Sequence, residues 1–201
     1  MKKSLIGLIV CSFLVLPAVC FGATGWYGSV NAGVALASDS DITYNDGSPD
    51  ERLEFDSGYT VGGAIGHMVE GWRLEGEVSY QENDVDKVDG LPAASGQDVS
   101  LMTFLVNGYM DLTTGKTLTP YLTAGIGASK VEINGSGASL DDTVFAYQLG
   151  VGVGFSMSET VILDGRYRFL GTTKPEFTYS GVTGEGEVAN HNFTLGLRMA
   201  F

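Results

Sequence analysis

A chain of 201 residues is sized for one domain, and its 11 basic against 24 acidic residues give a net charge of −13. That balance excludes nucleic acid as a ligand, because phosphate binding needs clustered cations. With 44% hydrophobic and only 17% charged residues, and 29 glycines in no third-position repeat, neither a disordered chain nor a collagen helix fits.

Residues 1–22 read as a secretory signal peptide, cleaved to leave a mature domain of residues 23–201. Lys2 and Lys3 form a positive start, Leu5 to Leu16 an apolar core broken only by Gly7 and Ser12, and Pro17 ends it. Cys20 and Gly22 are the small residues expected before a cut at Ala23. As a membrane anchor the apolar stretch is short and no cationic flank follows it. Lipid attachment at Cys20 is disfavoured by Val19, which is larger than the small residue preferred there. Both cysteines, Cys11 and Cys20, leave with the leader, so the mature chain holds no disulfide. Losing Lys2 and Lys3 moves its net charge to −15.

Beyond residue 22 no run of 18 apolar residues occurs, so a helical membrane span is excluded. The period is 2, and eight segments carry it. Trp26–Leu36 sets Trp26, Val30, Val34 and Leu36 against Tyr27, Ser29 and Asn31. Phe55–Val69 sets Tyr59, Val61 and Ile65 against Asp56, Thr60 and small residues. In Trp72–Gln81, Trp72, Leu74, Val78 and Tyr80 oppose Arg73, Glu75, Glu77, Ser79 and Gln81. Val99–Met110 is apolar on both faces, so its facing stays undecided. Thr119–Lys130 opens with Pro120, which suits a strand start. Phe145–Phe155 places six large apolar side chains opposite Ala146, Gln148, Gly150, Gly152 and Gly154. In Val161–Phe169, Val161, Leu163, Tyr167 and Phe169 oppose Ile162, Asp164, Arg166 and Arg168. Asn192–Phe201 sets Phe193, Leu195, Leu197, Met199 and Phe201 against Asn192, Thr194, Gly196, Arg198 and Ala200.

The connections alternate in length. Ala37–Glu54, Glu82–Gln97, Val131–Asp142 and Gly171–Glu187 read as four long loops; Val69–Gly71, Leu112–Leu118 and Ser156–Glu159 are short. Short turns at one end and long loops at the other describe an up-and-down barrel in an outer membrane. Hydrocarbon offers no hydrogen-bond partners, so with helices excluded only a closed sheet satisfies the backbone. The expected fold is therefore all-β: an eight-stranded antiparallel up-and-down transmembrane β-barrel. Trp26, Tyr27, Phe55, Trp72, Tyr80, Tyr121, Phe155 and Phe201 near strand ends are expected in its interfacial girdles.

Several stretches resemble the eight-stranded outer-membrane barrels of the opacity-protein and bacterial surface-antigen superfamily, some of them porin-like. They are Trp26-Tyr27-Gly28-Ser29, Pro120 through Gly127, Phe145 through Gly152, and Arg166-Tyr167-Arg168-Phe169. The run Phe193, Leu195, Leu197, Met199, Phe201 is similar to the C-terminal signal read by the barrel-assembly machinery. The resemblance implies an outer-membrane location in a Gram-negative bacterium, and a role as surface antigen, adhesin, structural barrel or small pore. Some eight-stranded relatives carry a peptidoglycan-binding domain after the barrel; no counterpart follows here, so wall anchoring is not carried over.

Three groups are candidate sites. Arg73, Glu75, Glu77, Asp164, Arg166 and Arg168 all point into the lumen if the facing is right. Buried charges need partners, so an ion-pair network plugging the barrel is expected; a gated pore lining is the other use. Glu82-Asn83-Asp84-Val85-Asp86 alternates oxygen ligands but lacks the glycine and final glutamate of a calcium loop, so solvated loops are expected. A hydrolase needs a nucleophile beside a base. The only histidines, His67 and His191, sit at opposite strand ends, and Ser180 is the one serine that could approach His191. No catalytic, cofactor or metal site is expected.

The resulting reading is a non-enzymatic surface protein whose long loops form an antigenic or adhesive face. A narrow channel for small solutes comes second, and a lipid-modifying enzyme third. Expected partners are outer-membrane lipid and lipopolysaccharide, the barrel-assembly machinery, and a host or environmental surface ligand.

Overall fold

A computed structural model describes residues 25–38, 40–44, 51–88, 90–92, 98–112, 117–134, 139–179, 182–186 and 188–201. The leader assigned to residues 1–22 lies outside them. Eight long strands form the wall: β1 (Trp26–Ala37), β2 (Gly58–Val69), β3 (Trp72–Val88), β4 (Asp98–Asp111), β5 (Leu118–Asn134), β6 (Ser139–Ser156), β7 (Val161–Thr172) and β8 (Ala189–Ala200). Each pairs antiparallel with the next. The last closes on the first from Tyr27↔Ala200 to Ala37↔Asn190, leaving no edge in the wall. The β2–β3 hairpin turns on Glu70 and Gly71, both at positive φ (48° and 87°), the conformation a two-residue hairpin turn requires.

The alternation read from sequence is realised in space. Trp72, Leu74 and Val78 are exposed outward, while Arg73, Glu75, Glu77, Ser79 and Gln81 are buried inside. The undecided strand resolves with Met102, Phe104 and Val106 outward and Leu101, Thr103, Leu105, Asn107 and Tyr109 inward. The outward apolar stretch from Trp72 to Tyr80 covers about 20 Å of membrane normal at the usual strand rise and barrel tilt, comparable to the apolar band of outer-membrane barrels.

Aromatic rings mark both limits of that band. Trp26, Trp72, Phe155 and Phe201 ring the short-turn end. Tyr59 and Tyr80 face one another near the other end, at 6.2 Å between ring centroids. There too Tyr147, Phe169, His191, Tyr167 and Phe193 form a connected series of ring contacts on β6, β7 and β8. Tyr27 and Tyr121, expected in the girdles, instead face the lumen at 2% exposure each. Their parity puts them opposite Trp26 and Leu122, and their hydroxyls are needed inside.

The long-loop end also departs from expectation. Strands β3, β5 and β6 run 17, 17 and 18 residues, so 82–88 of the loop placed at Glu82–Gln97, and 131–134 and 139–142 of the loop placed at Val131–Asp142, are wall. β5 and β6 pair out to Asn134↔Ser139, leaving only residues 135–138 between them. The alternation continues there with polar residues outward, because beyond the membrane the outer face meets water. The strand expected to begin at Phe55 begins at Gly58; Phe55 ends a separate short strand. The other two long loops carry ribbons. Ser40–Tyr44 pairs with Glu51–Phe55, which pairs in turn with the far end of β3 at Leu53↔Val88. Val182–Gly186 joins the free side of Ser40–Tyr44 and also pairs with Glu176–Tyr179. The first and last long loops thus share one sheet that prolongs the wall as a collar.

Inside this end lies the apolar core: Val99, Leu101, Leu105, Val131, Val144, Ala146 and Leu170, with Phe55, Val85, Ile133 and Val188 packed against it.

Two glycines test the inward packing. A Cβ on Gly152 would strike the Tyr121 ring, whereas one on Gly76, on the lipid face, would meet nothing within 4 Å. Gly152→Val is expected to cost at least about 2 kcal/mol in urea unfolding of the refolded barrel, and Gly76→Val no more than about 0.5 kcal/mol.

Candidate functional site

The lumen is filled by side chains in layers. At the short-turn end, Arg73 lies between the rings of Tyr109 and Tyr121, 4.2 and 4.7 Å from their centroids. Its Nε and Nη2 donate to Asp111 Oδ1 at 3.1 and 2.9 Å. Its Nη1 stands 3.6 Å from Glu75, which accepts the Tyr27 hydroxyl at 2.6 Å. Tyr121 donates to Asp164 at 2.6 Å, and Asp164 lies 4.0 Å from Arg198. Arg198 in turn sits 5.4 Å over the Tyr27 ring, which completes a circuit through β1, β3, β4, β5, β7 and β8. The other two strands make room: Gly66 of β2 faces Tyr27 and Glu75, and Gly152 of β6 faces Tyr121, both too close for a side chain.

One layer further in, Glu77 takes two arginines. Arg166 Nη1 donates to its Oε2 at 3.0 Å, and Arg168 Nη1 to its Oε1. Asn107 donates to the same Oε2 at 3.0 Å, and Gln148 to Asn107 at 2.6 Å. Arg166 also reaches the Tyr109 hydroxyl at 2.8 Å. Above this, amides take over. Gln81 donates to Asn83 and Asn190, both at 2.8 Å, and accepts from Asn192 at 3.0 Å. Asn83 donates to the carbonyls of Ala35 and Asp56. Beside these amides lies the apolar core of the outer end.

All six charged residues singled out from sequence are on inward faces, and the structure brings them into two groups. Glu77, Arg166 and Arg168 meet directly, as do Arg73 and Glu75, while Asp164 turns to Tyr121 and Arg198. Sequence reasoning missed Asp111, just past the end assigned to its strand, and Arg198, which parity already placed inward. With these two, the two charged layers hold four arginines and four carboxylates. It also missed the tyrosines that line the circuit. Beside Arg198 lies a small pocket of about 20 Å³, room for a water molecule or two.

The other sequence candidates are apart from this network. Phe193, Leu195, Leu197, Met199 and Phe201 form an exposed outward stripe on β8. His67 packs edge-on against Trp26 at 5.0 Å, and His191 Nδ1 is 2.8 Å from the Tyr167 hydroxyl on the outer wall. Ser180 lies outside the described residues. Asn83 is buried in the lumen while Asp84 and Asp86 are exposed outside, so the suspected calcium loop is split across the wall. Among the described residues no group of three acidic, histidine or cysteine side chains is placed to hold a metal ion. The outer face of the wall beside and beyond the collar's attachment carries Glu82, Asp84, Asp86, Asp98, Glu132 and Asp141. Glu82 accepts from Tyr80 at 2.6 Å and Tyr59 at 3.3 Å. Lys130 lies 3.3 Å from Asp141 and 3.7 Å from Glu132.

A closed eight-stranded wall with an apolar outer band, aromatic limits and a polar packed interior defines an outer-membrane β-barrel. Residues 6–201 match the family of outer membrane protein β-barrel domains, and the chain belongs to it. Its location is the outer membrane. The chain is 25% identical over 121 residues to outer membrane protein PagN of Salmonella typhimurium, a match spanning 51% of each chain. It is 24% identical to a candidate adhesin of Rickettsia bellii, over 98% of this chain and 99% of that one. Among solved structures, Neisserial surface protein A superposes with a TM-score of 0.61 at 20% identity, covering 89% of this chain and 98% of that one.

Glu77 is 4% exposed and holds two buried guanidinium groups. Removing one member of a buried ion pair leaves an uncompensated charge. Glu77→Gln is therefore expected to lower the unfolding free energy by about 3–5 kcal/mol; a loss under about 1 kcal/mol in urea titration would mean the arginines are otherwise satisfied.

Proposed function

We propose that this protein is a non-enzymatic surface barrel whose collar is a rigid platform for contact with an outside surface, and whose lumen is a plug rather than a pore. One observation carries the reading: the wall continues past the outer aromatic limit and encloses an apolar core of its own. A barrel that served only to span the membrane could end at its girdle. A cored extension instead holds the ribbons in fixed positions, which lowers the ordering cost of binding. The likeness to a candidate adhesin along nearly the whole chain supports it. The acid-rich outer face of the wall beside the collar favours a neutral or basic counterpart and repels polyanions.

The plug reading is supported by the paired charges that fill the lumen and by the small size of the pocket beside Arg198. The lipid-facing band and its girdles would be in contact with membrane lipid, including lipopolysaccharide in the outer leaflet. The outward stripe on β8 would be read by the barrel-assembly machinery. Residues 1–22 would be removed on export.

Replacing residues 40–54 and 176–186 by short Gly/Ser connections tests the platform. Cells displaying the variant are expected to lose adhesion to host cells or abiotic surfaces. The variant should keep the heat-dependent gel shift of a folded barrel. Adhesion equal to the parent, with the barrel folded, would contradict the proposal.

A further inference from the structure

The wall is closed where it crosses the membrane, but the ring above it is not. That ring runs through the collar and the outer ends of the long strands. Its order is Glu176–Tyr179, Val182–Gly186, Ser40–Tyr44, Glu51–Phe55, β3, β4, β5, β6, and each member pairs with the next. A pairing of β6 with Glu176–Tyr179 would complete it. The two lie side by side, yet among the described residues Glu176–Tyr179 pairs with Val182–Gly186 alone. β6 pairs with β7 as far as Ala146↔Thr172. The Thr173 amide then donates to the Phe145 carbonyl at 2.9 Å. Past that bond, residues 139–144 keep β5 on one side and pair with no described strand on the other. Two strand edges therefore flank a cleft rooted at Phe145 and Thr173.

An unpaired edge presents amide N–H and carbonyl groups at the repeat of a strand, and its complement is another extended main chain. A lipid tail offers no such groups. Charge narrows the guest further. The stretches 139–144 and 176–179 contain Asp141, Asp142 and Glu176 and no lysine or arginine. Lys130, 3.3 Å from Asp141, and Lys174, beside the root, offset part of this. A second copy of the chain would bring the same acidic edges and a net charge of −13 against these, which disfavours self-pairing. A basic segment meets the opposite condition. Facing sets the pattern. Val144 is buried on the inner side of β6, while Asp141 and Thr143 are exposed on the outer side. A strand laid alongside takes the same alternation, with apolar residues inward and basic residues outward.

We propose that this cleft is a strand-addition site. The partner docks by adding a short extended segment, alternating apolar and basic residues, to the free edge of β6 at residues 139–144. The inference rests on the reading of the collar as a contact platform and names the chemistry by which that platform binds.

The test uses the full refolded barrel in lipid nanodiscs and fluorescent, end-capped peptides of about eight residues, long enough to cover the edge. Three peptides alternate Val with Lys, with Ser or with Glu. The Lys peptide is expected to bind best, the Ser peptide less tightly and the Glu peptide not at all. Two further Lys peptides carry N-methyl groups on one or the other set of alternate residues. One of them is expected to bind at least about tenfold more weakly, because it loses the N–H groups that face the edge. Binding of the unmodified Lys peptide should slow amide exchange within residues 139–144. Asp141→Asn combined with Glu176→Gln should weaken the Lys peptide and leave the Ser peptide unchanged, with the heat-dependent gel shift retained. If the acidic residues only guard the edge, neither the Lys nor the Ser peptide binds, and the proposal is overturned. Equal affinity of all three Lys peptides overturns it too, since charge alone would then hold them. Concentration-dependent pairing of barrels that protects the same amides would show the occupant to be a second copy and also overturn it. These readings involve no cell surface, so they can fail while adhesion still depends on the collar. Conversely, peptide binding alongside unchanged adhesion of the collar-deleted cells would contradict the platform and not the cleft.

Discussion

Everything in this structure depends on the inability of hydrocarbon to hydrogen-bond. A chain that crosses a membrane with strands has to pair every backbone group with another strand, and β1 against β8 is the pairing that completes the set. Closure then dictates the sequence pattern. Each strand has one face in lipid and one in the lumen, so a period of 2 runs through all eight strands. The polar residues of a net acidic chain are forced either inside or beyond the membrane limits.

The lumen has to accommodate what closure sends into it. Four arginines and four carboxylates inside a wall of small radius are tolerable only when each charge meets another, and the layers achieve this. Tyrosine rings and hydroxyls fill the gaps at the short-turn end, where Arg73 is flanked by two rings. Amides take over beyond Glu77, and aliphatic side chains pack beside them at the outer end. The order follows from position. The amides bridge strands where no charge is available, and the aliphatic core lies where the strands leave the membrane and the collar must hold itself together.

Much of this was legible in the sequence. The facing of β3, β6, β7 and β8 could be read because one face of each is mostly large and apolar while the other is mostly charged, small or polar. It could not be read for β4, because Leu101 and Leu105 belong to the outer core and make both faces apolar. Strand ends were misjudged wherever the outward face turned polar: Glu82 and Glu132 look like loop residues until the wall is known to continue above the membrane. The partners of the buried charges were not legible. Arg166 and Arg168 reach Glu77 from 89 and 91 residues away, through a register that only the closed barrel fixes. Tyr27 and Tyr121 look like girdle residues in one dimension because they neighbour outward positions at strand ends.

The proposed plug requires that the packed charges seal the lumen. Planar-bilayer recording of the refolded barrel lacking residues 1–22 tests it most directly, once the heat-dependent gel shift has established that the barrel is closed. A folded barrel that inserts and produces no channel steps above the bare bilayer is the predicted result. Stable, reproducible conductance steps from the same folded preparation would contradict it, since ions could then pass the Glu77 layer.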